Sequence, residues 1–255
     1  MSFNDVKEFE KINILGINVT NLTSKELIRQ IGFYVTHNQK QNILYANIHG
    51  INVASSLGWF REFFNRCAIV FCDGDGVRLG AKILGHHIYE KITYNRWIWD
   101  FASFCESEGI SWYLVGSESI VIKNAVDNLK VKYPKLVIVG YRNGFFQNES
   151  EYEKLITDLN TTKPNILLLG MGMPHQENLL LKHGDRMTYN VALTGGAVFE
   201  YVSGEAKMTP SIFFHLKLEW FFRFLLEPKR LFKRYFIGNP LFFARIFMQK
   251  YFNKS

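Results

Sequence analysis

Three cysteines, with no pair spaced as CxxC, and no apolar run of 18 residues set the first limits on this chain of 255 residues. Cys67, Cys72 and Cys105 leave an odd thiol and match neither a disulfide framework nor a zinc site, so they read as reduced core residues in a reducing compartment. The most hydrophobic stretch, Ile212 to Leu226, is interrupted by His215, Lys217, Glu219 and Arg223, which excludes a membrane span there. The opening MSFNDVKEFE is charged, unlike a signal peptide, and the expectation is a cytoplasmic protein. Histidines are equally uninformative for metal: His86 and His87 are adjacent and His37, His49, His183 and His215 are scattered, so no metal site is expected. Internal repeats and low-complexity linkers are absent as well. What remains is globular composition, 47% hydrophobic and 21% charged, long enough to bury a sizeable core without covalent staples.

Acidic residues are almost missing from one end. Residues 207–255 carry ten Lys and Arg against Glu219 and Glu227, a net of +8, whereas residues 1–206 hold 20 basic and 21 acidic groups, a net of −1. The same tail holds 14 of the 40 aromatic residues, in pairs such as Phe213-Phe214, Phe221-Phe222 and Phe242-Phe243 among leucines. Basic groups interleaved with aromatics on helical segments fit an amphipathic element lying in the interface of an anionic membrane, where each Lys or Arg contributes about 1 kcal/mol. Packing of these aromatics on the body or on a second subunit is the alternative. Nucleic acid is not the expected partner.

Short apolar runs followed by Gly- or Asn-containing turns and helical patterns repeat through residues 40–206, which predicts an α/β fold: a Rossmann-like, mostly parallel sheet with crossover helices. Strands are expected near 42–46, 67–72, 111–115, 136–140, 165–170 and 190–194. A hairpin precedes them in INILGINVT, and Thr23-x-x-Glu26 is a capping box opening a helix over 24–36. The predicted division is a catalytic body over 1–206 and a helical appendage over 207–255, with Pro210, Pro228 and Pro240 suited to helix starts.

In such sheets chemistry gathers beyond the carboxyl ends of the strands. The strand at 67–72 runs into Asp73-Gly74-Asp75-Gly76, with a helix expected from Val77. Asp73 suits a general base, Asp73-x-Asp75 a metal-binding DxD, and both suit a turn and N-cap without chemistry; the spacing leaves the three open. After 165–170 comes Gly-Met-Gly-Met-Pro174, then His175, Gln176 and Glu177 in a first helical turn. There Pro174 fits the first helical position, and the amide and carboxylate are expected to project toward the cleft. After 190–194 comes Gly195-Gly196, where backbone can approach a bound group. A dinucleotide oxidoreductase is the rival, but Gly74-x-Gly76-x-x-x-Gly80 has the wrong third spacing for its fingerprint.

Together the stretches NILYANIHGINVA, CDGDGVRLGAKILG, GISWYLVG, GMGMPHQE, TGGAVFEYVSGEAKMTP and LEWFFRFLLEPKRLFKRY resemble the WecG/TagA/CpsF family of bacterial glycosyltransferases. The resemblance implies inverting, metal-independent transfer of N-acetylmannosamine or a related sugar from a UDP-sugar to an undecaprenyl-diphosphate-linked N-acetylglucosamine, with no cofactor. It places such an enzyme peripherally on the inner face of the plasma membrane, in cell-surface polysaccharide or teichoic acid synthesis. By the family motifs, Asp73 falls on the base, and Asn47, Gln176, Glu177, Gly195 and Gly196 fall around the substrate cleft, with Gly74 and Gly76 in the Asp73 loop. Arg223, Arg230 and Arg234 match arginines that the resemblance suggests cover the site and meet diphosphate charge. The chain departs from the family pattern at Tyr45 (threonine in the family), at Tyr94 and Arg96 (glycine and aspartate in many relatives) and at Glu200 (aspartate). The tail is suited to self-association when no membrane is present. A non-catalytic nucleotide-sugar-binding or membrane scaffold protein of the same fold is the alternative function.

Overall fold

The computed structural model describes residues 8–206, Phe213 and 219–252, with the side chains of Glu219, Arg223 and Arg230 outside that description. A hairpin of β1 (Lys11–Ile14) and β2 (Ile17–Thr20) comes first, followed by α1 (Ser24–Thr36). The expected capping box opens α1: Glu26 N–H donates to Thr23 Oγ1 at 3.3 Å and Thr23 N–H donates to Glu26 Oε2 at 2.9 Å. Six strands then form one parallel sheet: β3 (Gln41–Ala46), β4 (Ile69–Cys72), β5 (Trp112–Gly116), β6 (Ile138–Arg142), β7 (Ile166–Gly170) and β8 (Val191–Thr194). Their spatial order is β4-β3-β8-β7-β5-β6, so all six expected strands share one sheet.

Successive residues of the strands feed opposite faces, and both faces are buried, as crossover helices require. Leu44, Val70, Leu167 and Leu169 join the core on one side, where α2 (Ile48–Ser56), α3 (Gly58–Arg66), α4 (Asp75–Leu84), α7 (Glu149–Thr162) and α8 (His175–His183) pack. Ile43, Phe71, Leu168 and Leu193 join the core of the other side, with α1, α5 (Tyr94–Glu108), α6 (Ser119–Lys132) and α9 (Val198–Ser203). The open edge of β4 is covered by the hairpin, where Val70 N–H donates to Thr20 Oγ1 at 3.1 Å. Cys67, Cys72 and Cys105 are free and buried, with thiols raised by desolvation, as their reading as core residues expects.

The tail is helical: α10 (Glu219–Leu226), α11 (Pro228–Phe232), a π-helical stretch Lys233–Gly238 and α12 (Asn239–Phe252). Pro228 stands in the first turn of α11 and Pro240 is the second residue of α12, whereas Pro210 lies outside the described residues. α12 docks on the body. Phe242 and Ile246 are fully buried beside Gly80 of α4, Gln249 Oε1 accepts from Leu15 N–H at 2.8 Å, and Arg245 Nη1 donates to Asn52 Oδ1 at 3.1 Å. No helix among the described residues is long and apolar enough to cross a membrane.

Candidate active site

A cleft of about 1200 Å³ opens beyond the carboxyl ends of β4, β3, β8 and β7, and the tail forms its far wall. That is the place where an open α/β sheet collects ligands, and the volume exceeds that of a single small-molecule site. Each strand delivers one piece. Asp73 follows β4 directly, its N–H donating to Ala46 O at 2.8 Å, which holds it level with the end of the neighbouring β3. Asn47 follows β3 as the N-cap of α2: its Oδ1 accepts from Gly50 N–H at 2.9 Å, so the Nδ2 end of the amide is the donor it can offer the cleft. Tyr45 of β3 and Gly195 and Gly196 after the neighbouring β8 also line it, and the tail contributes Trp220, Leu231, Arg234 and Tyr235.

Asp73 and Asp75 are the acidic side chains lining the cleft among the described residues. They are not equivalent. Asp75 Oδ2 pairs with Lys91 Nζ at 2.7 Å, and Arg78 Nη1 approaches Asp75 Oδ1 to 3.9 Å. No group of three or more His, Cys, Asp and Glu that could hold a metal gathers among the described residues. α4 begins at Asp75, two residues before the expected Val77, because Gly74 takes φ +117° and caps the helix itself. Gly76 serves packing: a Cβ there would stand 2.3 Å from Ile48 Cδ1.

His49, in the first turn of α2, also lines the cleft. Burial and the Arg234 guanidinium push its pKa down to about 4, so the ring is a neutral imidazole near Arg234 at neutral pH. Tyr45 remains a neutral phenol: burial, then the Glu177 and Asp73 carboxyls, raise its pKa, against a smaller opposite effect of Arg234. Tyr94 is raised likewise, by burial first and then by Tyr45 and Asp73. The Tyr45 and Tyr94 rings meet edge to face at 5.9 Å and close the cleft floor next to Asp73.

The family model for glycosyl transferases of the WecG/TagA/CpsF family matches residues 12–255. The chain belongs to this family. It is a glycosyltransferase with a six-stranded parallel sheet. Among curated proteins it is similar to N-acetylglucosaminyldiphosphoundecaprenol N-acetyl-beta-D-mannosaminyltransferases of Staphylococcus aureus strains NCTC 8325 / PS 47 and COL, each 25% identical over 223 residues that cover 87% of either chain. The corresponding protein of strain MRSA252 is similar to the same extent, 25% over 223 residues.

On this member of the WecG/TagA/CpsF family the structure gathers Tyr45, Asn47, Asp73, Gly74, Gly76, Gly195, Gly196 and Arg234 around one cleft. Gln176 and Glu177 are corrected in their direction. Pro174 is the N-cap of α8 rather than its first residue, and both side chains point into the body, fully buried, instead of bordering the cleft. The glycines after β8 offer less than expected too: Gly195 N–H donates to Leu169 O at 2.6 Å and Gly196 N–H donates to Gln176 Oε1 at 3.1 Å, so neither amide is spare for a ligand. Glu200 accepts from Ser117 Oγ at 2.8 Å away from the cleft wall. The side chains of Arg223 and Arg230 lie outside the described residues. Sequence reasoning missed His49 and Lys91 as cleft residues; the signal for His49 was its place two residues after the capping Asn47, and Lys91 had no local signal, being 16 residues from its partner.

Proposed function

We propose that this chain transfers N-acetylmannosamine from its UDP-linked donor to undecaprenyl-diphosphate-linked N-acetylglucosamine, with inversion and without a metal ion, at the inner face of the membrane. The observation that carries the reading is the place of Asp73: a carboxylate directly after a strand of the parallel sheet, lining the cleft of a family glycosyltransferase. A single displacement needs one base and no protein nucleophile. Asp73 takes the proton from the acceptor hydroxyl as that oxygen attacks the anomeric carbon, and the nucleoside diphosphate departs. Arg234 in the cleft wall supplies positive charge for the departing diphosphate, and the tail's other family-matched arginines, Arg223 and Arg230, are proposed to join it. The engagement of Asp75 by Lys91 supports metal independence, since a cation at Asp73-x-Asp75 would have to compete with the ammonium group for Asp75.

Membrane association is supported by the surface of the tail. Among the described residues, twelve of the 21 exposed large hydrophobic side chains lie from Trp220 to Phe252, within the tail 207–255 whose net charge is +8. An anionic bilayer covers such a surface and brings the site to a lipid-anchored acceptor. The acceptor in the relatives' name, a diphosphoundecaprenol-linked sugar, agrees with that surface. Self-association through the same residues is the proposed behaviour without a membrane.

The test is transfer from UDP-N-acetylmannosamine to a lipid-linked N-acetylglucosamine in the presence of a chelator, with Asp73→Asn alongside. The expected result is turnover with chelator and a loss in kcat of about 10²–10⁴-fold in Asp73→Asn. Turnover that requires added manganese would return Asp73-x-Asp75 to the role of metal ligand. No turnover in either wild type or Asp73→Asn would favour the scaffold alternative, and equal non-zero rates would remove Asp73 from the role of base.

A further inference from the structure

We propose that Glu177, which lies behind the cleft rather than on it, is a positioning residue for the transfer reaction: through the Gln176 amide it fixes the Gly196 turn and the Tyr45 hydroxyl at the cleft floor beside Asp73. The inference rests on the function proposed above for that cleft.

An amide side chain has a donor end and an acceptor end, and a buried one must be told which way to point. Glu177 Oε1 accepts from Gln176 Nε2 at 2.8 Å, which commits the donor end. Gln176 Oε1 is thereby left facing Gly196, whose N–H donates to it at 3.1 Å. Flipped, the amide would present NH₂ to the Gly196 N–H, donor against donor. Both Gln176 and Glu177 are fully buried, so water cannot replace a lost partner.

The chain of bonds ends on cleft atoms. Gly196 sits at φ +56°, and a Cβ on it would come within contact of the Tyr45 hydroxyl at 2.4 Å, so phenol and turn are packed directly together. Tyr45 belongs to β3, Gly196 follows β8, and Gln176 follows β7; the amide ties the β7 end to the β8 turn, and that turn packs on Tyr45, so three adjacent strand ends that border the site are linked. Glu177 Oε2 has no hydrogen-bond partner among the described residues, and burial pushes the carboxyl up to about 8. At neutral pH the group is therefore mainly the neutral acid, with Oε1 still an acceptor. A glutamine in its place keeps that acceptor; an alkyl chain does not.

A misplaced floor costs turnover more than it costs binding, because an error of about 1 Å in a reacting group can cost about 10²-fold in rate. Full-length Glu177→Gln, Glu177→Leu and Asp73→Asn would be compared by thermal melting and by steady-state transfer from UDP-N-acetylmannosamine. Glu177→Gln is expected to keep kcat within about threefold of wild type, and Glu177→Leu to lose at least about tenfold in kcat with donor KM within about threefold. Wild-type kcat in a folded Glu177→Leu, or equal losses in folded Glu177→Leu and Glu177→Gln, would overturn the proposal. Should Glu177→Leu fail to fold, Glu177→Asp decides: its acceptor is withdrawn by one methylene, so kcat must fall below that of Glu177→Gln, and equality overturns the proposal. An inactive Asp73→Asn beside an unaffected Glu177→Leu sinks this inference alone, whereas an active Asp73→Asn sinks the functional reading beneath it.

Discussion

Half-buried His49 in the cleft and fully buried Glu177 behind it pull stability in opposite directions as pH changes. His49 has a folded pKa of about 4 against an ordinary 6.5, so the unfolded chain takes up its proton first; the stability present above pH 6.5 is lost as pH falls through 4. Glu177 is the reverse case: its folded pKa of about 8 lies above the ordinary 4.5, so the folded state keeps a proton the unfolded chain has released, and stability declines as pH rises from 4.5 through 8. Glu177→Gln carries no such proton. Thermal melts of Glu177→Gln and wild type should therefore diverge in favour of the variant between about pH 5 and about pH 8, by about 2–4 °C for each kcal/mol. A constant difference across that range would show that Glu177 titrates as an ordinary carboxyl. In the sequence, Glu177 read as a residue facing the cleft because a helix first turn at a strand end points there on average. Its actual direction is set with that of Gln176, which donates to it and whose Oε1 meets the Gly196 turn across 20 residues of chain.

Helix α4 shows how an element can be specified by what it must not carry. Its N-terminus is turned by Gly74, its first turn lies against Ile48 at Gly76, and its middle receives Phe242 of the tail at Gly80, where a Cβ would stand 2.8 Å from the ring. Gly80→Ala should cost about 1–3 kcal/mol, read from denaturant unfolding, because a ring packed against the helix cannot yield as a chain end would. An unchanged midpoint would mean that α12 shifts freely on α4. Legibility at this scale was uneven for physical reasons. All six strands and the capping box at Thr23 were readable, since a short apolar run ended by a turn and a local cap are both written into adjacent residues. The start of α4 was not, because Gly74 at positive φ does the capping that an Asp side chain was expected to do. Gly80, read first as a failed dinucleotide fingerprint, is a packing site for a helix 160 residues later.

Taken whole, the molecule is a catalytic sheet with a basic, aromatic tail that has one half sewn to it. α12 buries Phe242 and Ile246 in the body, while Phe236, Ile237, Phe247, Tyr251 and Phe252 stay exposed on the tail. The charge asymmetry at this scale predicts behaviour on membranes. Lys229 and Lys233 are exposed and do not line the cleft. Reversing both to Glu should lower partition onto vesicles containing anionic lipid at least about tenfold, at about 1 kcal/mol for each basic group lost, and leave transfer to a water-soluble acceptor unchanged. Binding that persists in the double variant and in high salt would assign the attachment to the aromatics alone.

The sequence by itself determined the sheet, its strands, the position of Asp73 at a strand end and the basic tail, because each is encoded in local periodicity, local turns or summed charge. Only the tertiary structure decided which groups face the cleft. Asp75 is claimed by Lys91, Gln176 and Glu177 turn inward beneath Gly196, and His49 and Arg234 arrive from opposite ends of the chain. Those outcomes depend on hydrogen bonds and burial between segments far apart in the chain, and no pattern of neighbouring residues records which distant partner a buried polar group will meet.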